Sequence, residues 1–139
     1  MDLFLRGAIV LVLAIAVVGI GLTVRARARR RSTELSGSLI PSQLVGRFDR
    51  EGPGIVYFFG PVCPTCRRQA GVLDELSRTT EIPVVRVDAT SEAQLANALG
   101  VMTVPATIVV DRDRSIRAVN LGVQPADTLM KQLEDTTAG

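Results

Sequence analysis

Hydrophobic and polar positions divide the chain into two unequal parts. An N-terminal run from Gly7 to Val24 contains 18 residues and no charge. A helix rises about 1.5 Å per residue and the hydrocarbon core of a bilayer is about 30 Å thick, so this run predicts one membrane-spanning helix. From about residue 40 onward, short apolar runs alternate with stretches in which apolar residues recur every three or four positions. That alternation predicts an α/β domain.

The second part contains four predicted helices and four predicted strands. The helices run from Pro41 to about Phe48, Pro64 to about Arg78, Ser91 to Leu99 and onward from Pro125; the strands are Gly54–Phe59, Pro83–Asp88, Ala106–Asp111 and Ile116–Leu121. The spacing of Ser91 and Gln94 predicts a capping box, and Gly100 suits the end of that helix. Residues 25–38 read either as a linker or as a frayed continuation of the N-terminal helix.

The order of these elements predicts a mixed sheet with helices on both faces. We expect strands that are separated by a helix to pair in parallel, because a crossover connection returns the chain in the same direction. The last two strands should form an antiparallel hairpin at one edge of the sheet. The predicted organisation is a membrane anchor over residues 1–24, a basic juxtamembrane linker over residues 25–39 and an α/β domain over residues 40–139.

Positive charge is concentrated directly after the apolar run. The arginines there are Arg25, Arg27, Arg29, Arg30 and Arg31. A cleavable signal peptide has the reverse arrangement, with its basic residues before a shorter apolar region. A buried core helix is the other alternative, but it seldom contains so long an uncharged run. The positive-inside rule therefore predicts a single-pass membrane protein with its domain in the cytoplasm. The arginines are expected to contact anionic membrane lipid.

The overall charge of +2 hides a division within the chain. From Ser32 onward the chain keeps 10 of the 16 basic and 13 of the 14 acidic residues, which leaves that part a net charge of −3. Nucleic-acid binding needs a basic patch on the domain itself, so we expect no nucleic-acid partner. The chain also has no histidine, which excludes histidine-based acid–base catalysis and histidine metal ligands.

Two cysteines, Cys63 and Cys66, lie three residues apart where a predicted strand is followed by a helix. Cys63 falls at the N-cap position, and Pro64 falls at the first helical position, where proline is favoured. A thiolate at Cys63 would face the free amides and the positive end of the helix dipole, which lowers the pKa of the thiol. We therefore predict Cys63 as the catalytic nucleophile and Cys66 as the resolving thiol.

Other uses of a Cys-x-x-Cys pair remain open at this point. Zinc needs four ligands and the pair supplies two, so a metal or cluster would have to bridge two chains. An inert structural disulfide is disfavoured across so short a loop in a reducing cytoplasm. A pair without turnover, held inside an assembly, is the third alternative. No cofactor or metal is expected beyond the redox-active Cys63–Cys66 disulfide itself.

A second signal is Pro105, at the start of an apolar strand and 39 residues after Cys66. Proline cannot continue a strand ladder, so its place there predicts a tight turn with a cis Val104–Pro105 bond. The alternative is an ordinary trans proline at the entry to the strand.

Together these residues resemble the thioredoxin superfamily over about residues 40–136. The resemblance rests on Gly54–Phe59, Cys63–Pro64–Thr65–Cys66, Val72–Leu76, Val87–Asp88, Gly100–Val101, Val104–Pro105 and Leu121–Gly122, in the family's order and spacing. It implies a thioredoxin-like fold, a mixed sheet flanked by helices, preceded here by one N-terminal transmembrane helix. It also implies a groove beside the disulfide that grips an extended substrate segment through backbone hydrogen bonds. The substrate-binding residues would be Val62, Pro64, Thr65, Val104, Gly122 and Pro105, the last as the family's cis-proline.

Several positions depart from the family pattern. Val62 replaces the tryptophan that usually precedes the first cysteine, and Pro64–Thr65 replaces Gly-Pro. Tyr57 stands where the family has a buried aspartate that assists proton transfer to the resolving thiol. The glycine and acidic motif with which glutaredoxins bind glutathione is missing after Gly122.

Two functions follow from this sequence. In the first, the chain is a membrane-tethered thiol–disulfide oxidoreductase: Cys63 attacks a protein client's disulfide, Cys66 releases the product, and a dithiol electron donor restores the pair. A cytoplasmic domain would favour net reduction. In the second, the chain is an accessory or assembly subunit of a membrane protein complex that uses the fold as a binding module. Tyr57 and Val62 are the residues that favour the second function.

Overall fold

The computed structural model describes the backbone of residues 1–138, and their side chains except those of residues 2, 3, 28, 29, 31 and 32. It divides into two units, Met1–Thr33 and Glu34–Gly139. Helix α1 spans Asp2–Leu35, so residues 25–35 continue the helix and do not form an irregular linker. Within α1 the 24 residues Phe4–Arg27 are long and apolar enough to cross a membrane, by length and composition.

The second unit contains the α/β domain. Its elements are α2 (Ser42–Val45), β1 (Gly54–Phe59), α3 (Pro64–Thr80), β2 (Val84–Asp88), α4 (Ala93–Ala98), β3 (Ala106–Val110), β4 (Ile116–Leu121) and α5 (Ala126–Thr137). All the predicted strands and helices are present, and β1 and β4 have the predicted bounds. The helix predicted from Pro41 to Phe48 is a single turn, because the chain leaves it at Gly46.

The predicted capping box at Ser91 is wrong. Helix α4 begins at Ala93, and its N-cap residue makes no side-chain capping bond. The Ser91 hydroxyl donates instead to the carbonyl oxygen of Asp88 at 3.3 Å. The carboxylate of Asp88 accepts from the backbone N–H of Thr90 at 2.8 Å, which holds this segment as a turn at the end of β2. Gly100 follows the helix with a φ of +69°, a left-handed conformation that favours glycine.

The four strands form one mixed sheet in the order β2-β1-β3-β4. Strand β1 pairs in parallel with β2, as predicted for strands joined through a helix. The same prediction is wrong for β3, which pairs antiparallel with β1 and not with β2. The connection through α4 carries the chain past β1 and returns it in the opposite direction. The antiparallel β3–β4 hairpin at the edge is confirmed.

Helices cover both faces of this sheet, as predicted. On one face, Val56 and Phe58 of β1 pack with side chains from α2 and α4, including Leu44 and Leu95. On the other face, Ile55, Tyr57 and Val109 pack with side chains from α3 and α5, namely Leu73, Leu76, Leu129 and Leu133. The central strand β1 is therefore buried from both sides, and its carboxyl end leads directly to the cysteines.

A polar contact fastens α5 to the edge strand. The side-chain amides of Asn120 in β4 and Gln132 in α5 exchange two hydrogen bonds, at 2.8 and 2.9 Å. The amide of Asn120 also donates to the hydroxyl of the buried Thr107 at 3.3 Å. These bonds give partners to the half-buried side-chain amides of Asn120 and Gln132.

Candidate active site

The two cysteines form a disulfide at the start of α3, and their Cα atoms are 5.2 Å apart. Strand β1 ends at Phe59, Gly60–Pro61 turn the chain, and Cys63 becomes the N-cap of α3 with Pro64 at the first helical position. Proline fits there because its missing N–H would have no helical partner. The placement predicted for Cys63 and Pro64 is confirmed.

The sulfur of Cys63 lies in a polar environment at the helix start. It accepts a hydrogen bond from the backbone N–H of Cys66 at 3.2 Å, and the Thr65 hydroxyl lies 3.4 Å away. The first turn of α3 contains no acidic residue. Cys63 is half-buried, whereas Cys66 is only 4% exposed. An incoming sulfur can therefore reach Cys63, and Cys66 is suited to attack from within.

A cis peptide bond joins Val104 and Pro105, so the predicted cis-proline is confirmed. Gly60 connects this turn to the disulfide. A Cβ atom built on Gly60 would lie 3.3 Å from Cγ2 of Val104 and 3.9 Å from Cβ of Cys63. The cis-proline turn and the disulfide are thus neighbours on the two sides of Gly60, and the close approach depends on a residue without a side chain.

Gly122 completes the predicted group of site residues. Its backbone N–H donates to the carbonyl oxygen of Pro105 at 2.8 Å, and its φ is +87°. At the other end of the site, Val62 is 94% exposed, and Pro64 and Thr65 are also exposed. The structure therefore brings these predicted residues to one end of the domain, around Cys63. Their roles in substrate binding stay predictions.

The arginine run lies in α1. Arg25, Arg27 and Arg30 have exposed side chains in α1, within the first unit. The side chains of Arg29 and Arg31 lie outside the described residues. Lipid contact by these arginines stays a prediction.

Tyr57 lies beneath the disulfide. It is 1% exposed, and its hydroxyl donates to the backbone carbonyl oxygen of Cys66 at 2.6 Å. Burial raises the pKa of Tyr57 above its ordinary value of 10.0, the positive charge of Arg86 lowers it, and Asp74 raises it. Arg86 is itself ion-paired with Asp74. The phenol is consequently neutral in the physiological range and acts as a hydrogen-bond donor.

Two grooves adjoin Gly60. The larger has a volume of about 540 Å³ and contains both cysteines, with Tyr57, Phe59, Pro61, Arg67, Ala70, Arg86, Asp88 and Glu92 along its walls. The smaller, of about 310 Å³, lies on the Val104 side and is bounded by α4 residues and the cis-proline turn. Gly60 lines both grooves, whereas the two cysteines line the larger one.

Gln69 is a residue of the site that sequence reasoning missed. Its side chain is fully buried in α3, three residues after Cys66. Its amide bonds to both backbone groups of Gln124, in the loop that follows Gly122. A polar residue on the apolar face shared by Cys66 and Leu73 was the available signal, because a buried amide requires partners.

Within the part of the chain that the structure describes, no three Asp, Glu or Cys side chains come together as a metal-binding group. The absence of any further cofactor stays a prediction.

Known proteins with this pattern identify the family. A family model described as TraF, F plasmid transfer operon protein, matches residues 47–133. Thioredoxin 1 of Nostoc sp. is 32% identical over 88 residues, which cover 62% of this chain and 81% of that protein. The chain is a TraF-type member of the thioredoxin superfamily. The thioredoxin of Bacillus subtilis is 29% identical over 83 residues, covering 58% of this thioredoxin-like protein and 79% of the relative.

Solved structures agree with the fold. Chloroplastic thioredoxin z has a TM-score of 0.62 at 23% identity, covering 75% of this chain and 96% of that one. A mutant thioredoxin from Halobacterium salinarum NRC-1 also has a TM-score of 0.62 at 23% identity, covering 71% and 87%. With its Cys63–Cys66 disulfide, this thioredoxin-like protein is a disulfide oxidoreductase, and its thioredoxin relatives imply protein thiol clients.

Proposed function

We propose that the chain is a membrane-tethered oxidoreductase that exchanges disulfides with protein clients through Cys63 and Cys66. The observation that carries this proposal is the position of the Cys63 sulfur. It is half-exposed at a helix N-cap, it accepts the N–H of Cys66 at 3.2 Å, and it lies beside the Val104–Pro105 turn. In the reduced protein the backbone amides at the start of α3 favour the thiolate, so the pKa of Cys63 should lie below that of a free thiol.

The exchange has two steps. The Cys63 thiolate attacks one sulfur of the client disulfide; a mixed disulfide forms and the client's other sulfur leaves as a thiolate. Cys66 then loses its proton and attacks the sulfur of Cys63, which releases the client's second thiolate and forms the Cys63–Cys66 disulfide. The client takes up two protons and gains two electrons. An external dithiol donor supplies two electrons to reduce the protein again.

Client binding is proposed to use backbone groups beside the cis-proline. Among the described residues, none bonds to the backbone N–H or C=O of Val104. Free N–H and C=O groups next to a reactive sulfur suit an extended client segment that adds as a strand. Val62, exposed over 94% of its surface, offers that segment an apolar contact.

We propose that α1 anchors the chain in the membrane. The apolar stretch is followed by five arginines, so the positive-inside rule leaves the domain in the cytoplasm with the arginines near anionic lipid. A reporter that is active only outside the cytoplasm, fused to the C-terminus, tests this orientation. Strong reporter activity would contradict it and would make oxidation or isomerisation of clients the expected direction.

The central experiment is disulfide reduction by the full chain in detergent micelles, with insulin as the protein disulfide and dithiothreitol as the donor. Wild-type protein should accelerate the reaction and Cys63→Ser should not. In a separate reaction, Cys66→Ser that has been reduced and freed of dithiothreitol should accumulate a mixed disulfide with insulin on Cys63, which non-reducing electrophoresis detects. Wild-type activity no better than that of Cys63→Ser would refute the proposal.

A second candidate function is an accessory subunit of a membrane protein complex with little redox turnover. Tyr57 favours it, because a neutral buried phenol cannot accept the proton of Cys66 as a carboxylate would. Purification in mild detergent followed by identification of stoichiometric partners tests this function. A monomer without such a partner would count against it.

A further inference from the structure

The loop that follows β4 is bonded to the protein at two points. At Gly122 the backbone N–H donates to the carbonyl oxygen of Pro105 at 2.8 Å. Two residues later, the backbone N–H of Gln124 donates to Oε1 of Gln69 at 2.6 Å, and Nε2 of Gln69 donates to the carbonyl oxygen of Gln124 at 3.2 Å. The loop of residues 122–124 therefore joins the cis-proline turn to the helix that carries the disulfide.

The chemistry of Gln69 suits this connection. Its side chain has no exposure to solvent, so both its donor and its acceptor need partners within the protein. A carboxamide can accept and donate at the same time, and Gln124 supplies the complementary pair of backbone groups. An apolar side chain of the same length would leave the N–H and C=O of Gln124 without these partners.

Cys66 and Gln69 lie one turn apart on α3. A rigid helix turn thus fixes the distance between the disulfide and the point at which the loop is held. The other end of the loop is fixed by Pro105, next to Val104. Gln69 therefore fixes the position of Gln124, and with it the end of the loop opposite Gly122, relative to the disulfide.

We propose that Gln69 is a positioning residue for client binding: it holds the loop of residues 122–124 beside the cis-proline turn and leaves the thiol chemistry unchanged. The inference rests on the proposed function, in which an extended client segment binds to backbone groups beside the cis-proline. Because the hydrogen bonds of Gln69 go to Gln124, a substitution at Gln69 should change client binding by displacing the loop of residues 122–124.

The test compares two disulfides that differ in size. The reduced full chain in detergent micelles is mixed with insulin, or with hydroxyethyl disulfide, which has no peptide segment to lie along the cis-proline turn and the loop. Gln69→Met should lower the second-order rate constant for insulin about tenfold and change that for hydroxyethyl disulfide less than about twofold. The pKa of Cys63, followed by thiolate absorbance, should stay the same.

Gln132→Met is the matched control. It also removes two amide hydrogen bonds, but these connect α5 to Asn120 and not to the loop. The ratio of the two rate constants should stay at the wild-type value in this variant. A second measurement needs no variant: in the wild-type protein, hydrogen exchange at the Gln124 amide should be at least about tenfold slower than in an exposed loop.

Several results would overturn the role of Gln69. One is an equal fall in both rate constants for Gln69→Met, another is no fall in either, and a third is the same change of ratio in Gln132→Met. Unprotected exchange at the Gln124 amide would also overturn it. A wild-type protein that reacts with neither disulfide would instead refute the proposed function, and the role of Gln69 with it.

Discussion

The hydroxyl of Tyr57 donates a 2.6 Å hydrogen bond to the backbone carbonyl oxygen of Cys66. This bond connects the middle of β1 to the first turn of α3, directly below the disulfide. Both residues are buried, so the bond is shielded from water. A neutral donor thus occupies the position at which the thioredoxin pattern has a carboxylate, and it holds the main chain of the resolving cysteine.

Tyr57→Phe should lower the free energy of unfolding by about 1 kcal/mol, because the carbonyl of Cys66 loses this donor while the ring remains packed. Urea unfolding of the oxidised full chain in detergent micelles measures the change. Ser77→Ala is the control, since it removes the 2.9 Å bond from Ser77 to the Ile82 carbonyl at the far end of α3. Only Tyr57→Phe should also slow the release of client by Cys66. Equal release rates in both variants would contradict a role for Tyr57 in holding the resolving turn.

The ionisation of Tyr57 can be followed directly, because the chain has one tyrosine and no tryptophan. Burial raises its pKa above 10.0, so the absorbance change of tyrosinate should appear at higher pH in the folded protein than in urea. Below pH 10 both states are protonated and the stability is unaffected. Above pH 10 the unfolded chain loses its proton first, so the stability should fall as pH rises.

Titration midpoints that coincide in folded and unfolded protein would contradict this prediction. In Tyr57→Phe the tyrosinate signal should be absent, and the decline of stability above pH 10 should be correspondingly weaker. That variant therefore isolates the contribution of Tyr57 ionisation to the pH dependence of stability.

The strands and the redox helix could be predicted from local sequence. Strand β1 has its predicted bounds because it is a continuous apolar run that ends where Gly60–Pro61 break it. Cys63 could be placed at the N-cap because Pro64 fixes the first helical position. These signals arise between neighbouring residues in the chain, so they can be recognised without knowledge of the tertiary structure.

Thr65→Val should raise the pKa of the reduced Cys63 thiol. The Thr65 hydroxyl lies 3.4 Å from the sulfur, and valine has the same shape without the donor. Loss of a hydrogen bond to the charged form disfavours that form, so less thiolate is present at neutral pH. Thiolate absorbance against pH measures the change. Thr90→Val, the same substitution at another exposed threonine, should leave the titration curve of Cys63 unchanged. A shift as large as that of Thr65→Val would contradict a role for the Thr65 hydroxyl in stabilising the thiolate.

Gly60→Ala should destabilise the site by about 1 kcal/mol, because the new Cβ would lie 3.3 Å from Cγ2 of Val104 and one of them must move. Val104→Ala removes that methyl group. The cost of Gly60→Ala should therefore largely vanish when measured in the Val104→Ala background. The free energies of unfolding of the wild type, the two single variants and the double variant give the coupling free energy between residues 60 and 104.

The control for this cycle is Gly71→Ala. Gly71 lies in α3, and a Cβ there would meet nothing within 4 Å. That exchange should stabilise the protein by about 0.5–1 kcal/mol through helix propensity. If both alanine variants changed stability in the same direction and by the same amount, crowding between residues 60 and 104 would not be the cause.

Two of the features that sequence reasoning missed, the pairing of β3 and the partner of Gln69, depend on tertiary structure. The pairing of β3 depends on where the connection through α4 crosses the sheet, and no local pattern reports that path. The capping box failed because the Ser91 hydroxyl bonds back to the end of β2. The partner of Gln69 lies 55 residues away in the chain, and pairing at that distance needs the folded structure.

Strand β1 has ladder partners on both edges and packed side chains on both faces. Amides in such a strand exchange with solvent chiefly through global unfolding, whereas edge elements open more easily. The segment that leads to Cys63 is therefore among the last to loosen. On heating, we expect disulfide exchange to persist until the whole domain melts and then to disappear abruptly, so residual turnover would directly report the surviving native fraction.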